Sequence, residues 1–298
     1  MAEDQGVNGD KWNDYVIHLL SQFGWEQVGD TNMDLKGEDD QSGGIDAIMI
    51  YEQPGKSLKR SVIVESKRYK KSSYSANKLY GWLSVLNNKL DFFRNSEAIL
   101  EQYPFLQDCE EIKHGIIFNW ITDADDDFLD LYKKHFLAYP NKTSATLRGG
   151  KRISVLNNER INKLRSILEV MESRPCRFFY PSQLTGTNSG AYKEVLTLEY
   201  MFSNIILAEE SNNNANKIVF YFGEMTYEAL RILSECLNLY QFLIEDTKMT
   251  IYYYQDDDNI RKIIPSVKEK LFPKVDVSFE VLLEFQINKE PKFNKKIE

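Results

Sequence analysis

Between residues 43 and 71 the chain reads GGIDAIMIYEQPGKSLKRSVIVESKRYKK, two apolar runs joined through Pro54-Gly55. Runs of this length and composition fit buried strands, and Pro-Gly fits a tight connection between them. Yet Asp46 opens the first run, and Glu65 and Lys67 stand inside the second. Residues two apart in a strand share a face. Glu65 and Lys67 therefore project together, opposite Val64 and Ser66, while Asp46 shares its face with Ile48 and Ile50. Pairing through the turn would bring Asp46 close to Glu65. The plain alternative is an amphipathic hairpin whose charged face meets water. The apolar flanks weigh against it, because unpaired charge in a buried strand is costly.

Two adjoining carboxylates repel, and one tends to hold a proton. A divalent cation removes that conflict. Mg2+ takes oxygen ligands, usually one or two carboxylates with waters and substrate phosphate. Such a metal polarises a phosphoryl oxygen and makes bound water acidic enough to attack. Lys67 beside it could orient that water and offset the charge that develops at phosphorus. These are the parts of a phosphodiester hydrolase.

The surrounding pattern alternates helix and strand. KWNDYVIHLLSQF, residues 11–23, has helical spacing in Trp12, Tyr15, Val16, Leu19, Leu20 and Phe23, and Gly24 ends it. WEQVG predicts a short strand, followed by a polar loop up to Gly44. IDAIMIY and SVIVESKRY predict strands. Residues 74–98 predict a long helix with Leu79, Trp82, Leu83, Leu86, Leu90 and Phe93 on its apolar stripe. HGIIFNWI predicts a strand, 126–137 a helix, KRISVLN a strand and 158–173 a helix. The order through HGIIFNWI is α-β-β-β-α-β. Composition changes near Arg174-Pro175, which divides the chain into residues 1–174 and 175–298. The second part predicts further strands at RFFYPS, KIVFYFG, TKMTIYYYQ and VDVSFEVLLEF, with helices at 226–243 and 258–271. It carries no catalytic motif, and its expected role is partner binding, dimerisation or sensing.

Gly44-Ile45-Asp46 and Glu65-Ser66-Lys67-Arg68-Tyr69, set in that element order, resemble the PD-(D/E)XK nuclease superfamily and within it the Mrr-like restriction endonucleases. The resemblance covers roughly residues 10 to 121. It implies a restriction-endonuclease-like α/β fold, with an αβββαβ core, a mixed central sheet and here a second α/β region behind it. It implies that Asp46 and Glu65 ligate Mg2+ or Mn2+, with the Ser66 carbonyl as a further ligand, and that Lys67 assists the water. Asp14, ten residues before Gly24-Trp25, would support the site or bind a second metal. The implied activity is metal-dependent endonucleolytic cleavage of DNA, in defence against foreign DNA such as that of phage. Two alternatives stay open: a nuclease-fold subunit that is inactive until a partner joins it, and a nuclease acting on RNA.

The net charge of -8 argues against a basic coat for indiscriminate DNA binding, but its distribution is uneven. Lys56, Lys59, Arg60, Lys67, Arg68, Lys70 and Lys71 crowd one window. Arg68, Lys70 and Lys71, with Tyr74 and Lys78 at the start of the next helix, are candidate phosphate contacts. The alternative for them is a solvated strand end. Glu38, Asp39 and Asp40 read as a solvated loop. Asp123 to Asp127, and Asp256 to Asp258, read as helix N-termini. Cys109, Cys176 and Cys236 show no metal or disulfide spacing and read as core residues of a reducing compartment. The N-terminus lacks the pattern of a secretory signal, and no stretch of about 18 apolar residues exists to span a membrane. The expected setting is a cytoplasmic DNA-binding protein, as a homodimer or as a partner subunit of a defence complex.

Overall fold

The computed structural model describes residues 7–36, 42–94, 97–138, 150–186, 190–243, 247–254 and 258–291. These residues fall into two compact units. One comprises the described residues of Met1–Glu52, Leu58–Ile161 and Gln286–Glu298, the other those of Gln53–Ser57 and Asn162–Phe285.

The first unit runs α1 (Val7–Gln22), β1 (Glu26–Val28), β2 (Met33–Lys36), β3 (Ser42–Ile45), β4 (Ala47–Tyr51), β5 (Arg60–Tyr69), α2 (Ala76–Arg94), α3 (Glu97–Gln102), β6 (His114–Ile121), α4 (Asp126–Leu137) and β7 (Arg152–Leu156). Among the described residues β1, β4, β5, β6 and β7 form one sheet in that order. The β1–β4 and β4–β5 pairs are antiparallel, the β5–β6 and β6–β7 pairs parallel. The expected α-β-β-β-α-β order is present as α1, β1, β4, β5, α2 and β6. β4 and β6 are buried along their whole length, which is why they read as unbroken apolar runs.

Opposite faces of the sheet take the two long helices. Leu79, Leu83, Leu86, Leu90 and Phe93 of α2 pack in one core with Ile48, Ile50, Ile63, Ile117 and Ile121. α1 packs on β5, and its Trp12 donates to the Phe118 carbonyl at 3.4 Å and leans on Trp120. Gly24, with φ 79, closes α1 in the left-handed conformation that a residue without Cβ adopts freely. The helix expected over 74–98 is α2, preceded by a 3-10 turn at Lys71–Ser73 and followed by α3 from Glu97.

The polar stretch before Gly44, expected as loop, contains the β2–β3 hairpin. Its sequence signal is faint because its strands are short and mix apolar residues with polar residues and glycines. Met33 and Ile45 face each other across the ladder and enter the α2-side core.

The chain passes through α5 (Asn158–Ser173) into β8 (Cys176–Tyr180), α6 (Ser182–Thr185), β9 (Ala191–Lys193), α7 (Leu198–Met201), β10 (Ile205–Glu210), β11 (Asn213–Tyr221), α8 (Tyr227–Leu239), β12 (Lys248–Tyr253), α9 (Asp258–Leu271) and β13 (Asp276–Val281). In the second unit the described strands order as β13-β12-β11-β10-β8-β9. β11, β12 and β13 are parallel, joined through α8 and α9, which pack on each other. This is a second α/β region. The TIYYYQ run is a buried strand face: Ile251, Tyr252 and Tyr253 are buried in β12.

Candidate active site

Asp46 occupies the bend between β3 and β4. The β4–β5 ladder pairs Ala47 with Val64, so one step further Asp46 stands opposite Glu65. Strand alternation then places Lys67 on Glu65's face.

The Asp46 backbone is fixed from two sides. Its carbonyl accepts from the Asn13 side-chain amide at 3.2 Å and from the Asn32 backbone N–H at 3.0 Å. Asn32 adopts φ 54, in the left-handed region that asparagine tolerates. Its side chain is tied to Asn13 and Asp10. Asn13 also accepts from the Ser66 hydroxyl at 3.2 Å, so α1, the hairpin and β5 meet at one asparagine. The Asp46 carboxylate accepts the Ser66 backbone N–H on Oδ2 at 2.6 Å.

Glu65 is buried, with 4% exposure. Lys67 Nζ lies 3.1 Å from its Oε2 and 4.0 Å from Asp46 Oδ2, so one ammonium sits between the two carboxylates. Lys89 of α2 bonds Glu65 Oε1. Burial raises the Asp46 carboxyl above the usual aspartate range, and the charge of Glu65 raises it further. Lys67, the Ser66 amide and Lys89 pull the other way without cancelling those effects.

That donor set suits a hard divalent cation. Asp46 and Glu65 offer carboxylate oxygens side by side, close enough that the charge of Glu65 adds to burial in raising the Asp46 carboxyl. Among the described residues no group of three or more His, Cys, Asp or Glu side chains forms a metal cage. The remaining ligands would be water, the Ser66 carbonyl and substrate, the arrangement usual for Mg2+.

Asp14 is exposed, and α1 turns its neighbour Asn13 to the site instead. Helical spacing carried that signal: Asn13 lies three residues before Val16 and seven before Leu20, on the buried stripe. Lys89 was also absent from the sequence expectations. It lies between Leu86 and Leu90, both fully buried, so the helical period already aims it at the sheet.

The basic window is largely engaged within the first unit. Arg68 makes a two-pronged ion pair with Glu290, at 2.6 and 2.8 Å. Lys71 pairs with Asp125, and its backbone N–H donates to Asp123. Lys78 donates to the Ser73 carbonyl at 2.6 Å and lies 4.8 Å over the Tyr69 ring. Tyr74 packs edge-on to Phe128, and its hydroxyl meets His135 Nδ1 at 3.2 Å. Lys70 is exposed.

Asp125 caps α4 by accepting from the Phe128 N–H, as a helix N-terminus requires. Asp258 stands in the first turn of α9. Glu38, Asp39, Asp40, Asp256 and Asp257 lie outside the described residues. Cys109, Cys176 and Cys236 are free thiols.

No curated protein matches this chain. Residues 1–160 match the family model described as the GAPS4 protein PD-(D/E)XK nuclease domain. That is more than half of the 298 residues, and it takes in α1, both motif strands and α2. The chain belongs to the PD-(D/E)XK nuclease family, as a protein with a GAPS4-type nuclease domain.

Proposed function

We propose that this nuclease is a divalent-metal-dependent endodeoxyribonuclease, using Mg2+ or Mn2+, that acts in defence against foreign DNA. The observation that carries the proposal is the convergence of Asp46, Glu65 and Lys67 from two adjacent strands. A bound cation would polarise the phosphoryl oxygen and make water acidic at neutral pH. Asp46, Glu65 and the Ser66 carbonyl would hold it. The Ser66 N–H and Asn13 keep Asp46 in register with Glu65. Lys67, poised between the carboxylates, would orient the attacking water and offset negative charge growing on the phosphoryl oxygens.

Arg68, Lys70, Lys71, Tyr74 and Lys78 are the proposed phosphate contacts. The pairing of Arg68 with Glu290 and of Lys71 with Asp125 supports a second reading. In that reading the isolated chain rests with its cations internally satisfied, and a second copy or a partner subunit of a defence complex frees them. The described part of the chain contains no helix long and apolar enough to cross a membrane.

The substrate is tested by incubating the full chain with Mg2+ on supercoiled plasmid, linear duplex, single-stranded DNA and RNA, with and without EDTA. Cleavage of DNA that EDTA abolishes is expected. Cleavage confined to RNA, or cleavage unaffected by EDTA, overturns the substrate or the metal assignment. Inert protein that becomes active in a co-purified complex supports the second reading.

A further inference from the structure

Glu65 has two carboxylate oxygens, and a different lysine holds each: Lys67 on Oε2 and Lys89 on Oε1. Lys89 arrives by helix geometry. Tyr69 of β5 stacks on Trp82 of α2 at 4.9 Å, and Lys78 covers the same ring. From Trp82 to Lys89 the helix advances about 10 Å. Back along β5 from Tyr69 to Glu65 is about 13 Å. The two elements run alongside each other, and Lys89 reaches Glu65 with its side chain only 17% exposed.

The charge balance follows. Asp46 and Glu65 supply at most two negative charges, and Lys67 and Lys89 supply two positive ones. Lys67 is the lysine of the motif; Lys89 is additional to it. With both in place, an entering divalent cation finds no excess negative charge, and it is repelled by an ammonium already bonded to one of its ligands.

We propose that Lys89 is an internal counter-cation that occupies Glu65 in the free protein and must yield it when a divalent metal enters. This rests on the reading of Asp46 and Glu65 as the metal ligands. Lys89 is here a positioning residue. It holds Glu65 in place within a buried setting and competes with the metal for it.

The test is calorimetric titration of the full chain with Mn2+ without nucleic acid, for wild type, Lys89→Met, Lys89→Arg and Asp46→Asn, with thermal melts to verify folding. Lys89→Met keeps an unbranched side chain, one heavy atom shorter, and removes its charge. It is expected to bind Mn2+ at least about tenfold more tightly than wild type. Lys89→Arg restores the charge and is expected to stay within about twofold of wild type. Should Lys89→Met melt below the titration temperature, Lys89→Gln takes its place with the same expectation. Equal or weaker binding by the neutral variant, or tightening by Lys89→Arg as well, overturns the proposal. Asp46→Asn is expected to lose Mn2+ binding. Binding unchanged in Asp46→Asn overturns the metal site itself. Binding lost there but not tightened in Lys89→Met overturns only the role of Lys89.

Discussion

Asp46 is held where its own charge is disfavoured. Burial and Glu65 set its folded pKa above the unfolded value of 3.8. The folded state therefore binds more protons than the unfolded state between those two values. Metal-free stability falls as pH rises from about 3.8 through the raised value. Asp46→Asn keeps an oxygen for the Ser66 N–H and removes the charge. It is expected to raise the metal-free Tm at pH 7 by about 2–4 °C, the shift that corresponds to roughly 1 kcal/mol in a chain of this size. Melts from pH 4 to 8 check this, and wild type and variant should converge at the acid end. Asp14→Ala, on an exposed carboxylate, is expected to leave metal-dependent cleavage within about twofold of wild type. At this scale the strand pattern made Asp46, Glu65 and Lys67 legible, because alternation by two dictates which charges converge. Asn13 and Lys89 were legible only through the helical period. A short motif misses both, since each reaches the site from a separate element.

Among the elements, β4, β5 and β6 were readable because central strands buried on both faces leave continuous apolar runs. The β2–β3 hairpin was not, because its four-residue strands carry Asp34, Lys36, Ser42, Gly43 and Gly44 among few apolar residues. The packing of α2 on β6 makes a sharper demand. A Cβ at Gly115 would lie 2.8 Å from both Cγ and Cδ2 of Leu86, which is fully buried. Gly115→Ala is expected to cost about 1–3 kcal/mol by overpacking. Because Leu86 is one turn before Lys89, α2 would have to shift at the site. Urea denaturation measures the loss. An unchanged midpoint would mean that the α2–β6 contact is looser than its geometry indicates.

Across the whole molecule, two α/β regions were foreseeable from the alternation of periods, while the role of the second was not. Its sheet contains a buried ion network in place of a motif. Glu209, 3% exposed, accepts from Lys217 at 2.7 Å and from Arg177 at 2.6 Å, and Lys217 also reaches the Tyr192 hydroxyl. Such a network leaves no trace in local sequence, because its members come from β8, β9, β10 and β11. Glu209→Ala strands a buried ammonium and is expected to destabilise the second unit by about 3–5 kcal/mol, read by urea denaturation followed with a probe in that unit. A cost below about 1 kcal/mol would show that Lys217 finds water or another partner. Partner binding or dimerisation remains the proposed role of this region.

We propose that Asp46, Glu65 and Lys67 form one metal-dependent hydrolytic site. The direct measurement is the single-turnover rate of Mg2+-dependent plasmid cleavage by wild type, Asp46→Ala and Lys67→Ala, prepared identically and shown to be folded. Each variant is expected to lose at least about a hundredfold in rate. Cleavage at the wild-type rate in both variants would place the chemistry elsewhere in the chain.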